Sequence, residues 1–260
     1  MSRLQLWSAS TALLLAACSQ EPAAVYELDT GVRVEVLEEG SGPKPDDGRY
    51  VAIEFEAFLA ADGSSLGTNP EGEPFIFRLV DDGTSIPGLR DAVRVLSEGA
   101  RARVEIPAAR AYADVGKHPI PANADLVYEL TLTHIFERSP SGLQYVVLDP
   151  GQGPRVGDDD HVVIEYRGIL LETGREFASS RKRHRPEEFK LGQGLALPAW
   201  EEGLRLLGRG GHCWLAVPPA LGYGDTGRLP VVPPGVDLLY DLHLKGVRNL
   251  PDPARNQRSP

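Results

Sequence analysis

The sequence predicts an α+β chain of two tandem domains, each a twisted antiparallel β-sheet wrapped on one short α-helix. Three observations predict this fold class. One pattern of residues, long enough for a small domain, occurs twice; both copies consist mainly of short strand-like runs; and each copy has a single amphipathic helical stretch. The 22 prolines and 28 glycines agree with many short elements joined by turns.

The repeat defines the domains. Gly31 corresponds to Gly142 and Tyr112 to Tyr223, both at an offset of 111 positions. This period is too long for a solenoid unit and fits a complete domain. The predicted boundaries are a signal peptide at 1–17, a tether at 18–30, a first domain at 31–136, a linker at 137–141, a second domain at 142–248 and a disordered tail at 249–260.

Strands and a helix are predicted within each copy. In the second copy, residues 162–166, 212–217 and 238–244 are β-rich or alternate in polarity. A helix is predicted to start at Pro198, and at Pro87 in the first copy, because proline suits the first helical position. The apolar faces are Trp200, Leu204 and Leu207 in the second copy and Leu89, Val93 and Leu96 in the first.

The composition excludes several classes of function. The formal net charge of −10 disfavours an electrostatic grip on nucleic acid, so no nucleic-acid partner is expected. Histidines show no metal-ligand spacing such as His-Glu-x-x-His, and no acid–base dyad stands out. We therefore expect neither a metal nor a cofactor.

The N-terminus has the features of an export signal. Arg3 is followed by an apolar stretch and by small residues before Cys18. Leu15-Ala16-Ala17-Cys18 resembles the bacterial lipobox, which implies a diacylated Cys18 as a membrane anchor; the alternative is an ordinary signal with a chance cysteine. Ser19 stands where inner-membrane retention signals usually have Asp, which favours the outer membrane. Cys213, the one other cysteine, lies in an apolar run and is predicted to be a buried, inert thiol.

The second copy also resembles a known family over nearly its whole length. The matching motifs are Val162-Val163-Ile164-Glu165-Tyr166-Arg167-Gly168, Ala199-Trp200-Glu201-Glu202-Gly203-Leu204, Leu221-Gly222-Tyr223-Gly224 and Leu238-Leu239-Tyr240-Asp241-Leu242. Their order and spacing are similar to those of the FKBP-type prolyl isomerases, which bind macrolides.

This resemblance implies an apolar pocket for a proline ring. The implied catalytic residues are Tyr166, Phe177, Trp200, Tyr223 and Tyr240, and the implied substrate-binding residues are Arg183, Ala196, Leu197 and Val232. Trp200 is implied as the pocket floor. The Tyr223 hydroxyl and the Leu197 backbone N–H are implied as donors to a bound carbonyl. The alternative is that these aromatic and branched side chains are only core.

Two positions of the second copy depart from the family pattern. Ala178 stands where an acidic residue usually follows Phe177 and pairs with the basic residue that Arg183 matches, so Arg183 is expected to lack that partner. Glu187 stands where an aromatic wall residue is typical, which predicts a more open and polar pocket. The basic run 181–185 is predicted to be a solvated loop rather than a client-binding or membrane-binding patch.

The first copy departs further and is interpreted as a degenerate domain, weakly active or inactive. Leu89 stands in place of the tryptophan floor, and no residue matches Arg183. The residues that correspond to the pocket are Phe55, Leu66, Phe75, Ile86, Leu89, Tyr112, Ile120 and Tyr128. A spacer, a dimer contact or a substrate-holding surface are the roles considered for this domain.

The function implied by these features is peptidyl-prolyl cis-trans isomerisation that assists the folding of exported proteins. The implied partners are proline-containing exported polypeptides, the membrane through Cys18, and macrolide inhibitors. The implied location is the periplasmic face of the cell envelope, anchored in the outer membrane. The alternatives are a non-catalytic chaperone or binding module that uses the same pocket, and a structural envelope lipoprotein.

Overall fold

The computed structural model describes residues 24–70 and 72–248, which form two antiparallel sheets with one α-helix on each. The predicted fold class is confirmed. The predicted signal peptide, Cys18 and the tail at 249–260 lie outside the described residues. Within the described part of the chain, no helix is long and apolar enough to cross a membrane.

The first sheet has seven strands. Its elements are β1 Ala24–Glu27, β2 Arg33–Glu38, β3 Tyr50–Leu59, β4 Ser65–Thr68, β5 Phe75–Arg78, α1 Pro87–Val95, β6 Arg101–Ile106 and β7 Leu126–Ile135. The strand order is β1-β2-β6-β7-β3-β4, and β5 also pairs with β3. Helix α1 lies against β6, where a Cβ at Gly88 would come within 2.3 Å of Ile106 Cγ2.

The second sheet repeats this topology. Its elements are β8 Glu137–Arg138, β9 Gln144–Asp149, β10 His161–Leu170, β11 Glu176–Ser179, β12 Glu187–Lys190, α2 Pro198–Leu204, β13 His212–Val217 and β14 Leu238–Arg248. The order β8-β9-β13-β14-β10-β11, with β12 on β10, matches the first sheet strand for strand. The duplication seen in the sequence is therefore a duplication of structure.

Two segments predicted as connections take part in the sheets. Residues 24–27 of the predicted tether form β1, where Ala24 pairs with Val36 of β2. Residues 137–138 of the predicted linker form β8 and pair with Tyr145 and Gln144 of β9. A sheet edge offers unpaired N–H and C=O groups, so a short segment that reaches it gains a ladder of hydrogen bonds without needing a strong sequence signal.

Each helix begins at its proline and ends before the last of the three apolar residues predicted for its buried face. Pro87 and Pro198 follow residues with extended backbone, as a first-position proline requires. Helix α2 ends at Leu204, so Leu207 lies beyond it, although the residue is fully buried. A Cβ at Gly203 would lie 2.6 Å from Leu215 Cδ1, so this glycine allows α2 to approach β13 closely.

The two sheets also pack against each other. Alternate residues of β3 point to opposite sides of its sheet: Val51 belongs to the core of the first domain, whereas Ala52 lies in a third cluster between the domains. This interdomain cluster contains Tyr50, Ala52, Phe136, Val146, Ala216 and Leu239. The side chain of Gln144, buried in the same place, accepts from Tyr50 N at 2.9 Å and donates to Gly48 O at 3.0 Å. The interface is thus mainly apolar, and Gln144 pairs with two of its backbone groups.

Candidate active site

The second domain holds a cluster of aromatic rings between its helix and its sheet. Tyr166 of β10, Trp200 of α2 and Tyr240 of β14 meet there, with Trp200 lying 4.6 Å from Tyr166 and 5.1 Å from Tyr240 between ring centroids. Phe177 of β11 stands 5.9 Å from Tyr240 and 6.4 Å from Tyr223, both edge-on. The five residues implied as catalytic are thus brought together.

Trp200 forms the helix side of this cluster. Its residue is 8% exposed, and its indole Nε1 is buried without a hydrogen-bond partner among the described residues. A buried N–H that is left unpaired costs free energy, so the fold keeps this donor at some expense in stability. Phe189 of β12, which was not among the residues implied for the site, stacks on Trp200 at 6.5 Å.

Gly168 of β10 makes room for two of the rings. A Cβ at this position would lie 2.7 Å from Phe177 Cζ and 3.0 Å from Tyr240 Cε1. Both distances are shorter than any ordinary contact, and both neighbours are stiff aromatic rings. The position of Phe177 over the sheet therefore depends on a missing side chain.

The phenolic hydroxyls of Tyr223 and Tyr240 lie next to each other in the cluster. The Tyr240 hydroxyl donates to the Tyr223 oxygen over 3.4 Å, and Arg228 Nη1 donates to the same oxygen over 3.4 Å. Burial, and then the bond to Tyr223, raise the pKa of Tyr240, so its hydroxyl remains protonated and able to donate. Tyr223 is half-buried and is the more accessible of the two.

Arg183 has partners that replace the missing carboxylate. Its Nη2 donates to the Tyr166 hydroxyl at 2.7 Å and forms an ion pair with Glu187 at 3.0 Å. Ala178 indeed supplies no charge, but Glu187, the second departure from the family pattern, stands where it can meet the guanidinium. The two departures therefore compensate each other, and Arg183 stays next to the Tyr166 ring, 5.7 Å from its centroid.

Three of the residues implied as substrate-binding remain to be placed: Ala196 and Leu197 directly precede α2, and Val232 lies between β13 and β14. Val232 is buried, whereas Ala196 and Leu197 are half-buried, and all three pack on the second-domain core. The Glu201 carboxylate accepts from Gly192 N at 2.9 Å and Gly194 N at 3.1 Å. Glu201, which the sequence analysis did not single out, thus fixes the loop that carries Ala196 and Leu197.

The basic run 181–185 is exposed, as predicted for a solvated loop. Arg181 lies 3.4 Å from Glu165, and Lys182 lies 2.8 Å from Glu176. Exposed ion pairs of this kind contribute little to stability, but they keep the basic charges close to acidic partners. Cys213 is fully buried, as predicted, and burial raises the pKa of its thiol.

The first domain opens into a large cleft that the second domain closes on one side. Phe55, Phe75 and Tyr128 form an aromatic group with centroid distances of 6.1 Å (Phe55–Phe75) and 5.4 Å (Phe55–Tyr128). The cleft has a volume of about 700 Å³. Its walls include Phe55, Phe75, Ile86, Leu89, Tyr112 and Tyr128 of the first domain and Ile169, Leu171, Trp214 and Leu239 of the second. Leu66 and Ile120 pack on the first core but do not line this cleft.

Comparison with known families identifies both domains. The model of the family described as FKBP-type peptidyl-prolyl cis-trans isomerase matches residues 42–133 and 153–245. The chain belongs to this family. Both matched segments lie within the two sheet domains, so this FKBP-type chain carries two family domains in tandem.

Relatives of this FKBP-type chain include two bacterial proteins. The FKBP-type peptidyl-prolyl cis-trans isomerase FkpA of Escherichia coli is 39% identical over 44% of this chain and 40% of its own length. The outer membrane protein MIP of Legionella longbeachae is 36% identical over 42% and 46%, respectively. The chain thus spans less than half the length of either relative. The crystal structure of the three FKBP domains of wheat FKBP73 covers 86% of this chain, and the chain covers 99% of it, with a TM-score of 0.48 and 23% identity.

The substitution Gly168→Ala tests the packing of the aromatic cluster. The added methyl must displace Phe177 or Tyr240, so we expect a loss of about 1–3 kcal/mol in the free energy of unfolding, together with an altered near-ultraviolet circular dichroism spectrum. Denaturant titration measures the first quantity.

Gly157→Ala is the matched control, because a Cβ there meets no atom within 4 Å. Equal losses in the two variants would contradict the role assigned to Gly168.

Proposed function

We propose that this chain catalyses cis-trans isomerisation of X–Pro bonds in exported polypeptides and that the pocket of the second domain is its active site. The observation that carries the proposal is the aromatic cluster around Trp200, which combines a buried aromatic floor, an unpaired indole N–H and the half-buried Tyr223 hydroxyl at the rim. Uncatalysed isomerisation takes tens of seconds, slow enough to limit folding, so a catalyst has a clear role.

The chemistry requires no bond to break. Rotation about an amide crosses a barrier of about 18–20 kcal/mol because resonance is lost when the amide twists. A pocket lowers this barrier by binding the twisted amide better than the planar one. The proline ring would rest on Trp200, and the Tyr223 hydroxyl would donate to the carbonyl oxygen as it rotates out of plane. Neither the binding of the proline ring nor the hydrogen bond from Tyr223 requires a metal, a cofactor or a nucleophile.

The envelope location is part of the same proposal. The lipobox-like sequence at Cys18 supports a diacylated N-terminus, and two acyl chains are sufficient for stable anchoring. Because β1 already starts at Ala24, the first domain would begin within about 20 Å of the anchor. The first domain would then lie beside the outer membrane, and the second would carry the pocket into the periplasm.

The substitution Trp200→Leu tests the active site, because it introduces the residue that the first domain has at the matching position, Leu89. We expect the rate of X–Pro exchange to fall at least about tenfold, equivalent to about 1.4 kcal/mol of transition-state binding. The measurement is cis-trans exchange of a proline peptide with the chain purified without signal peptide and lipid.

Trp214→Leu provides the matched control, since Trp214 lines the interdomain cleft and not the pocket. Circular dichroism verifies that both variants are folded. A folded Trp200→Leu variant with undiminished activity would overturn the proposed site.

The substitution Cys18→Ser tests the anchor. We expect labelled palmitate to enter the wild-type chain in a bacterial host and to be absent from Cys18→Ser, because no other cysteine precedes the fold. Cys213→Ser, which alters a fully buried thiol, should keep the label. Label in Cys18→Ser, or none in the wild type, would rule out lipidation at this residue.

A second candidate function, the non-catalytic binding of unfolded chains, is favoured by the cleft of about 700 Å³. This space is large enough for several side chains of an extended polypeptide and is lined by aromatic and aliphatic groups from both domains. A substrate-holding role for the first domain would account for a pocket that has lost its tryptophan floor but kept its aromatic walls.

The substitution Thr173→Trp tests this candidate. Thr173 is exposed and lines the cleft, so a bulky ring there should narrow the cleft without disturbing a core. If the cleft holds unfolded chains, suppression of aggregation of a denatured protein should fall severalfold. Thr30→Trp, an exposed substitution outside the cleft, should leave the suppression unchanged. An unchanged result for Thr173→Trp would remove the candidate.

A further inference from the structure

Two histidines and an aspartate meet on the outer face of the second sheet. His212 of β13 and His243 of β14 are direct cross-strand partners. Asp241 precedes His243 by two residues, and residues two apart on a strand share a face. The sequence analysis missed this group because its members are adjacent only through strand pairing, and a spacing motif cannot reveal that.

The three side chains point to a common place. Asp241 Oδ1 lies 2.5 Å from His212 Nε2 and 3.3 Å from His243 Nε2. The imidazole rings are stacked with their centroids 3.6 Å apart. One potential ligand atom from each residue lies within 4.8 Å of the others.

We propose that His212, Asp241 and His243 form a binding site for a divalent transition-metal ion, with zinc as the best match. Two imidazole nitrogens and one carboxylate oxygen suit zinc and similar ions, whereas magnesium and calcium prefer oxygen ligands alone. Atoms bound to one zinc ion at about 2.1 Å lie at most about 4.2 Å apart. The three potential ligand atoms, all within 4.8 Å of one another, are close to that limit. Small rotations of the side chains, which tilt the stacked imidazole rings, bring the three atoms within reach of one ion.

The surroundings admit an ion. Each of the three side chains is about one quarter exposed, so the ion can enter from solvent and a water can fill a fourth position. Arg167 of β10 is the cross-strand partner of Asp241 on its other side. Its charge is balanced by Glu73 at 2.8 Å and Glu176 at 3.0 Å. The carboxylate of Asp241 is left as the anion that faces both imidazoles.

The first domain shows that the fold does not require this triad. In its matching strands, Arg101 pairs with Thr131, and Glu129 stands in place of Asp241. The same register therefore exists twice in one chain, once with a pair of imidazoles and once without. The histidine pair is a feature added to the second domain and not a necessity of its sheet.

The position of the triad connects it with the interdomain cleft. Asp241 and Trp214, cross-strand partners on β14 and β13, both line the cleft. An ion held by Asp241 would therefore sit at the cleft wall. Its open coordination position would be accessible to an oxygen or nitrogen ligand of a chain lying there.

The experiment is calorimetric titration of Zn²⁺ into the chain, purified without signal peptide and without a polyhistidine tag. We expect one ion per chain. The double variant His212→Arg/His243→Thr, which copies the first domain at the same register, should bind at least ten times more weakly. His184→Asn, a change at an exposed histidine of the loop 181–185, should bind as the wild type does.

Thermal unfolding distinguishes the loss of the metal site from the loss of the fold. Zn²⁺ should raise the Tm of the wild type and leave that of the double variant unchanged, because a ligand stabilises only the state that binds it. Far-ultraviolet circular dichroism verifies the fold of each variant. Absence of Zn²⁺ binding in the wild type, or equal affinity in the wild type and the folded double variant, would overturn the proposal.

Discussion

The structure of each domain depends on one helix that covers one face of a strongly twisted sheet. Each helix buries its third residue in the domain core, and this residue differs between the two domains. In the second domain it is Trp200, whose ring packs against the rings of Tyr166 and Tyr240. In the first domain it is Leu89, which leaves more open space under the surviving aromatic walls.

The other faces of the sheets determine how the domains combine. Because β3 and β13 carry apolar residues on both sides, the two sheets meet through Tyr50, Ala52 and Ala216. The side chain of Gln144 pairs with two backbone groups there, Tyr50 N and Gly48 O. The open pocket of the first domain then faces the outer surface of the second sheet. The cleft is thus lined by side chains of both domains.

Much of this could be predicted from the sequence, and the failures have a common cause. The repeat, the strand runs and the first-position prolines can be recognised in the sequence itself, so the fold class could be predicted. The aromatic cluster of Tyr166, Trp200 and Tyr240 was implied only by the resemblance to the FKBP-type family. Strand β1, the Arg183–Glu187 ion pair and the pairing of His212 with His243 depend on which chain segments become neighbours in space. Spacing along the sequence does not contain that information. Glu187 in particular was interpreted as the loss of an aromatic wall residue, whereas in the structure its carboxylate is the ion-pair partner of Arg183.

The most direct test uses the chain without residues 1–17, which leaves two tryptophans, Trp200 and Trp214. Trp200 reports on the proposed proline site of the second domain, and Trp214 on the interdomain cleft. The measurement is the ¹H–¹⁵N spectrum of their indole groups during titration with a proline peptide. We expect the Trp200 signal to shift and to broaden through exchange while the Trp214 signal stays in place. A shift of Trp214 alone would contradict it and would place substrate binding in the cleft.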